Sequence, residues 1–152
     1  MLLIYVVEMY SISQKLKMAI LSKNEEQAAK IIDDIHMRHT SIIKYNDENS
    51  LANVISIGFI SFSTDYTLIR EMPAGKGFAD IAAIPCVRAD LPMLIIELKW
   101  NQDAQTAINQ IRAKEYPKAL EGRNGKMILV GINYNKSTKK HECKIEEWVK
   151  ER

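Results

Sequence analysis

Glu97 and Lys99 are charged residues in an otherwise apolar, β-branched stretch, residues 94–100. Pro92 before the stretch and residues 101–103 after it are typical of strand boundaries, so the pattern predicts a buried central strand. Side chains alternate along a strand, which puts Glu97 and Lys99 on one face. Charges on a buried face cost free energy unless they pair or bind an ion. The stretch indicates chemistry, and a structural ion pair or an edge strand facing water is the alternative.

A second carboxylate favours the chemical interpretation. Asp80 lies inside another strand-like run, residues 78–84. Carboxylates on two neighbouring strands can hold a hard divalent cation such as Mg²⁺ or Mn²⁺. A lysine two residues after the second carboxylate can orient water or polarise a phosphate oxygen. Asp80, Glu97 and Lys99 therefore predict a metal-dependent hydrolytic site.

Length and composition limit the class of protein. The 152 residues suffice for one domain with a hydrophobic core and are too few for two. A hydrophobic content of 47% and a charged content of 26% are ordinary for a soluble globular protein. The net charge of +2 excludes a global polycation, so nucleic acid would bind through a local basic patch. Cys86 and Cys143 are isolated, which favours free thiols in a reducing compartment over a zinc site.

The amino terminus is apolar but does not resemble a targeting segment. Residues 1–7 lack a basic region, and Glu8 interrupts the apolar run. These features exclude a signal peptide and a transmembrane helix, and we expect a cytoplasmic protein without membrane contact. A chain that opens on apolar residues also suggests the edge of something larger, whose first helix packs on a preceding domain.

Helices are predicted before the strands that carry the charged residues. Residues 2–22 are predicted to form a helix, and Asn24 is expected to cap a second one that ends near His36. His36 and His39 could share a metal, but a helix end that contains two histidines is favoured. An apolar stripe at helical spacing supports the first helix: Leu3, Val6, Val7, Tyr10, Leu16, Ala19 and Ile20.

A third helix is predicted to open at residues 46–50, with Asn46 or Asp47 as the N-cap. Glu48 then falls in its first turn, where a plain role opposite the helix dipole is one interpretation. The remaining elements follow in chain order: strands over 66–70, 78–84, 94–100, 127–133 and 141–148, and a helix over 103–121 capped by Asp103. Connections are expected at residues 85–92 and 122–125, and residues 40–46 are expected to form a connection or a short helix.

Two details of this element order concern glycine and proline. Gly75-Lys76-Gly77 forms a turn, because it lacks the spacing of a phosphate loop and no helix follows it. Pro117 is expected to kink or end the helix over 103–121. The resulting order is helix, strand, strand, strand, helix, strand, in which the first three strands form a meander and the helix crosses over to the fourth.

Five stretches in this order carry a resemblance to a known family. They are Asn46-Asp47-Glu48-Asn49-Ser50-Leu51, Pro73-Ala74-Gly75-Lys76-Gly77-Phe78-Ala79-Asp80, Ile95-Ile96-Glu97-Leu98-Lys99-Trp100, Gln110-Ile111 with Tyr116, and Leu129-Val130-Gly131-Ile132-Asn133-Tyr134. The sequence resembles the PD-(D/E)XK nuclease superfamily. It is most similar to the nuclease-like domain found C-terminal to the AAA-ATPase-like domain of uncharacterised bacterial proteins.

The resemblance implies an α/β (α+β) fold with a restriction-endonuclease-like αβββαβ core. A central mixed sheet would be flanked by helices, with two extra N-terminal helices and a C-terminal edge strand. The implied division is a helical extension at residues 1–45 and a nuclease-like domain at residues 46–152.

The resemblance also implies a role for each matched residue. Asp80 and Glu97 would be metal ligands with the Leu98 carbonyl, and Lys99 would be the catalytic lysine. Further matches concern the surroundings of the site: Glu48 would be the extra acidic residue of the first core helix, Gln110 the glutamine of the crossover helix, and Tyr116 a residue equally suited to packing. Contacts to the nucleic-acid backbone are assigned to lysines and an arginine at Lys76, Arg112, Lys114, Lys136, Lys139 and Lys140.

The implied function is a Mg²⁺- or Mn²⁺-dependent nuclease, with DNA favoured over RNA as the nucleic acid it acts on. The alternative is a non-catalytic nucleic-acid-binding or regulatory module of a larger AAA-ATPase-like protein. A dimerisation domain, suggested by the apolar first helix, is a third option. Ala79 replaces the proline of the superfamily motif. No Walker motif is present in the sequence, so an AAA-ATPase-like domain would have to be supplied in cis or in trans.

Overall fold

The computed structural model describes residues 2–39, 45–86, 90–120 and 126–149. The predicted connections at residues 40–46, 85–92 and 122–125 lie wholly or partly outside this part. The elements, with a short 3₁₀ helix at Ile60–Thr64, are α1 (Leu2–Leu21), α2 (Glu25–His39), α3 (Glu48–Gly58), β1 (Tyr66–Ala74), β2 (Gly77–Pro85), β3 (Met93–Trp100), α4 (Ala104–Ala113), α5 (Tyr116–Leu120), β4 (Lys126–Asn135) and β5 (Lys140–Val149). The predicted αβββαβ order is confirmed.

The five strands form one mixed sheet in the order β1-β2-β3-β4-β5. Strands β1, β2 and β3 are an antiparallel meander, β3 and β4 run parallel, and β5 returns antiparallel to β4. The crossover from β3 to β4 runs through α4 and α5, as parallel neighbours require. Every residue of β3 from Met93 to Leu98 is buried, which explains its continuous apolar run.

Helices cover both faces of the sheet. On one face, α1, α2 and α3 pack with Leu94, Ile96 and Val130 in the larger of two hydrophobic clusters. On the other face, α4 and α5 pack through Ile108 and Tyr116 in the smaller one. The N-terminal helices therefore share a core with the sheet.

Helix α1 is only half covered. Leu16 and Ile20 are fully buried, whereas Leu3, Val6 and Val7 are 75%, 48% and 60% exposed. The predicted apolar stripe therefore faces the core only in the second half of the helix. None of the helices described has the length and apolar content that crossing a membrane requires.

The two histidines of α2 have separate environments. His36 is buried and stacks on Tyr45 at a centroid distance of 4.0 Å. Tyr45 also bonds His141 at 2.8 Å, and His141 bonds Asp33 at 2.7 Å. His39 instead contacts Tyr5 of α1. The favoured interpretation of this pair as a helix end agrees with these packing contacts.

The predicted helix over residues 103–121 is two helices. Asp103 caps α4 as expected, accepting a hydrogen bond from the Thr106 N–H at 2.6 Å. Helix α4 ends at Ala113, and Glu115 adopts a positive φ of 58° before α5 begins. The break thus precedes Pro117, which lies in the first turn of α5, where a proline is tolerated.

Helix α4 packs closely on β4 at Gly131. A Cβ added there would lie 2.4 Å from the Ala104 carbonyl oxygen and 3.0 Å from the Ala107 Cβ. The register places Gly131 beside Glu97 of β3, so this close approach sets the position of α4 over the candidate site.

We expect Gly131→Ala to lower the free energy of unfolding by roughly 1–3 kcal/mol, because the added methyl group meets backbone that cannot move independently of α4. Urea denaturation followed by circular dichroism measures this loss. Gly58→Ala is the matched control, since its Cβ would meet only the ends of the Ile35 and Leu16 side chains, at 3.0 and 3.1 Å. Equal losses in the two variants would contradict the close α4–β4 contact.

Candidate active site

Asp80 and Glu97 meet where β2 and β3 separate. The last residue pair in the β2–β3 register is Ile81 with Ile96. Extending this register by one residue places Asp80 opposite Glu97. The Asp80 Oδ2 atom accepts a hydrogen bond from the Leu98 N–H at 2.8 Å. A carboxylate thus takes the place of a backbone carbonyl in the ladder. The two carboxyl groups lie next to each other, as the sequence predicts.

A bend in β1 accompanies this separation. Glu71 adopts a positive φ of 52°. It lies opposite Asp80 in the β1–β2 register, at the one point where the two strands have no residue pair between Arg70–Ile81 and Met72–Ala79. Pairing resumes with Met72 and Ala79. The part of the hairpin beyond this bend, residues 72–79, is called the arm below. A non-glycine residue with positive φ costs free energy and often lies near a functional site.

The Leu98 carbonyl is directed toward the two carboxylates. In an antiparallel ladder the N–H and the C=O of one residue point to the same neighbouring strand. Because the Leu98 N–H bonds Asp80, its carbonyl is aimed at the gap between β2 and β3 as well. Three oxygen-bearing groups therefore converge on this gap, from Asp80, Glu97 and Leu98.

Gln110 of α4 connects Lys99 with Glu97. The Lys99 ammonium donates to Gln110 Oε1, and the Gln110 amide donates to Glu97 Oε1. Both charged side chains are therefore oriented by one neutral amide. The amide of Asn133 fixes the corner between β3 and α4, because it accepts from the Gln102 N–H at 3.0 Å and donates to the Gln102 carbonyl at 3.1 Å.

Burial makes the two carboxylates weak acids. Burial raises the pKa of Glu97 to about 8 from the 4.5 of an exposed glutamate, and the charge of Asp80 adds to the shift. Burial also raises the pKa of Asp80, opposed by the Leu98 hydrogen bond and the charge of Lys99. Two adjacent buried carboxyl groups do not both ionise easily, and they therefore share a proton.

The donor set suits a hard divalent cation. Glu97 is only 3% exposed, and its Oε2 atom is buried with no hydrogen-bond partner among the residues that the structure describes. An unpartnered buried carboxylate oxygen is costly and calls for a cation or a proton. Mg²⁺ commonly uses one or two carboxylates and takes its other ligands from substrate phosphates and water. Asp80, Glu97 and the Leu98 carbonyl fit that requirement.

Glu48 lies apart from this pair. It is exposed and lines an open depression with Asn46, Asp47, Asn49 and Trp100. Across residues 2–39, 45–86, 90–120 and 126–149, no three His, Cys, Asp or Glu side chains are grouped to hold a metal. Glu48 therefore does not complete a set of three carboxylates. Asp47 caps α3 by accepting from the Ser50 N–H at 2.8 Å, which places Glu48 in the first turn as predicted.

Two of the predicted phosphate contacts are engaged with acids. Lys76 pairs with Glu115 at 3.6 Å, and Arg112 pairs with Glu146 at 2.7 Å. Lys114 is exposed at the end of α4. Exposed pairs of this kind contribute little to stability and can exchange partners.

Arg70, a neighbour of the site, was not predicted as functional. The charge of Arg70 acts on Asp80 and favours its ionised form. The Tyr116 hydroxyl donates to the Phe78 carbonyl at 2.7 Å, which ties α5 to the arm. Arg70 could have been found from the hairpin register alone, since it pairs with Ile81 beside Asp80.

Comparison with protein-family models gives a match. A family model described as the PD-(D/E)XK nuclease superfamily matches residues 46–148, more than half of the chain. The match spans the sheet, α3, α4 and α5, and begins after α1 and α2. No curated protein matches the chain.

The raised pKa of Glu97 predicts a pH-dependent stability. The folded state binds a proton more tightly than the unfolded state, so the stabilising contribution is complete below pH 4.5 and is lost as the pH rises to about 8. With a chelator present, Glu97→Gln should flatten this decline and be more stable than wild type at pH 8 by on the order of 3 kcal/mol. Urea denaturation at a series of pH values measures it.

Glu26→Gln is the control, because Glu26 is an exposed glutamate on α2 that pairs only with Lys30 on the same helix at 3.3 Å. The rest of the chain is identical in the three proteins, so a difference between the Glu97→Gln and Glu26→Gln profiles isolates Glu97. Parallel pH profiles for wild type and Glu97→Gln would show that Glu97 ionises normally.

Proposed function

The chain belongs to the PD-(D/E)XK nuclease superfamily, and we propose that it hydrolyses phosphodiester bonds of nucleic acid with the help of Mg²⁺ or Mn²⁺. The observation that supports this most directly is the assembly of three charged side chains, with Asp80 held by the Leu98 N–H and with Glu97 and Lys99 joined by Gln110. Each charged group there is buried or half-buried and oriented by a partner, as a preorganised site requires.

The carboxylates provide the metal site in this proposal. Asp80, Glu97 and the Leu98 carbonyl hold the cation in the gap between β2 and β3. A bound divalent cation supplies Lewis-acid charge that stabilises the negative phosphoryl group. Asp80 stays fixed by the Leu98 N–H, so that its second oxygen remains available to the metal.

Lys99 acts on the phosphoryl group or the attacking water. Gln110 occupies one donor of the ammonium, which leaves its other donors for substrate. A lysine near the reacting atoms stabilises developing negative charge. Gln110 is a positioning residue, because it reaches the reacting atoms through Lys99 and Glu97.

Glu97 must lose its proton before it can bind a cation. Its raised pKa means that the metal competes with a proton near neutral pH. Metal affinity is therefore expected to increase with pH up to about 8. Glu97 is then ionised only when the cation is bound to offset its charge. This limits the free-energy cost of burying two carboxylates side by side.

We predict that Mn²⁺ binding, measured by calorimetry, releases close to one proton at pH 6.5 and fewer at pH 8.5. Titrations in two buffers of different ionisation enthalpy give the number of protons. Asp80→Asn should abolish binding, whereas Lys99→Ala should retain it, since the ammonium is not a ligand. Binding that is independent of pH and survives Asp80→Asn would place the cation elsewhere.

The decisive assay is cleavage of single- and double-stranded DNA and RNA with Mg²⁺, Mn²⁺ or a chelator. Wild type should cut with either metal and not with the chelator. Asp80→Asn, Glu97→Gln and Lys99→Ala should each lower the rate by roughly 10²- to 10³-fold, because each removes a group that acts on the phosphoryl transfer.

Matched controls come from the exposed pair on α2. Glu26→Gln and Lys30→Ala change the same residue types away from the site and should retain full activity. Wild type that binds metal and nucleic acid but cuts no substrate would favour the regulatory module over the enzyme. Cleavage that persists in all three site variants would point to a contaminating nuclease.

A further inference from the structure

Phe78 is an exposed aromatic residue beside the candidate catalytic carboxylate. Its side chain is 62% exposed, and it lies on β2 two residues before Asp80. Residues two apart on a strand are separated by about 7 Å. That backbone spacing is comparable to the reach of one nucleotide, so the Phe78 Cα atom lies about one nucleotide from the Asp80 Cα atom.

The arm that carries Phe78 is anchored to α4 and α5. The Tyr116 hydroxyl donates to the Phe78 carbonyl at 2.7 Å, and the Lys76 N–H donates to the Lys114 carbonyl at 2.9 Å. Gly75 allows the second contact, because its φ is +51° and an added Cβ would lie 2.2 Å from the Lys114 carbonyl oxygen. The exposed ring is therefore held on a fixed backbone.

The two faces of the arm have different surroundings. Ala79 is fully buried in the cluster that contains Tyr116, and Gly77 approaches the Tyr116 hydroxyl. Phe78 alternates with these two residues along β2 and pairs with Pro73, which is also exposed. One face of the arm thus packs on α5, and the face that carries Phe78 is open to solvent.

A single exposed apolar side chain needs no explanation by itself. Three features together distinguish Phe78. It is aromatic, the arm that carries it is held by two hydrogen bonds, and it lies between Lys76 and Asp80 in the sequence. A basic residue next to an exposed ring is the combination that binds an unpaired nucleotide, since the cation contacts phosphate and the ring stacks on the base. In a base-paired duplex both faces of an internal base are already stacked.

We propose that Phe78 stacks on an unpaired nucleobase next to the scissile phosphate, and that the substrate is single-stranded or locally unpaired nucleic acid. This inference rests on the proposed nuclease function and names its substrate class. Lys76 contributes phosphate contact without distinguishing bases, so affinity for single strands depends on the ring.

Binding of fluorescent oligonucleotides, followed by anisotropy with Mn²⁺ in a Lys99→Ala background that retains the metal but cleaves slowly, separates this role from cleavage. Phe78→Ala should weaken binding of a single-stranded oligothymidylate by roughly tenfold to a hundredfold. Binding of a matched blunt duplex should change by less than about twofold. Phe78→Tyr and Phe78→Trp should retain single-strand binding, whereas Phe78→Leu should behave like Phe78→Ala, because stacking requires a flat ring.

Two controls accompany these variants. Val149→Ala shortens another exposed apolar side chain, on β5, and should leave binding unchanged. Lys76→Ala should weaken both substrates alike and reduce the salt dependence of binding. Quenching of the introduced Phe78→Trp fluorescence by the oligonucleotide, beyond the change seen in wild type, would report stacking directly.

The outcomes distinguish this inference from the proposed function. Metal-dependent cleavage by wild type, with Phe78→Ala unchanged on single strands or equally impaired on duplex, would overturn the stacking role alone. A Phe78→Leu variant that binds single strands as wild type does would replace stacking by simple apolar contact. Wild type that neither binds nor cuts nucleic acid would overturn both proposals.

Discussion

The hydrogen bond from the Leu98 N–H to the Asp80 carboxylate is the contact on which the candidate site depends. It ends the β2–β3 ladder by replacing a backbone acceptor with a side-chain acceptor. The strands can then separate without leaving the Leu98 N–H unsatisfied, which would be costly in a buried strand. The gap that results exposes the Leu98 carbonyl edge to the two carboxyl groups. One contact thus creates the space and also fixes one of the groups that line it.

The rest of the fold holds this gap in a rigid, weakly polar setting. Strand β3 is buried by helices on both faces, and Gly131 lets α4 approach closely enough for Gln110 to reach Lys99 and Glu97. Burial raises the pKa of both carboxylates, so the folded protein without a cation carries an electrostatic cost in the site. Hydrophobic packing on both faces offsets that cost, a common division between scaffold and site.

The sequence predicts the sheet well because its strongest signals are local. The apolar run of β3, the Asp103 cap and the spacing of Asp80 and Glu97 each follow from residue type and period. The bend at Glu71 could not be predicted, because tertiary contacts impose its positive φ on a residue with no preference for it. The bridge by Gln110 requires the distance between α4 and β3, which no pattern encodes. The exposed first half of α1 shows that an apolar stripe indicates a helix face but not what covers it.

The charge distribution makes nucleic-acid binding depend on the cation in the proposed site. The net charge is only +2. Two of the predicted phosphate contacts, Lys76 and Arg112, are paired with acids. Two carboxylates in the gap repel phosphate as long as they are ionised and bare. A divalent cation reverses the sign of that local potential, since it offsets both carboxylates while Lys99 remains positive. In the proposed function, the ion that would polarise the phosphoryl group would also allow it to bind, and a proton on Glu97 would stabilise the folded protein without the ion.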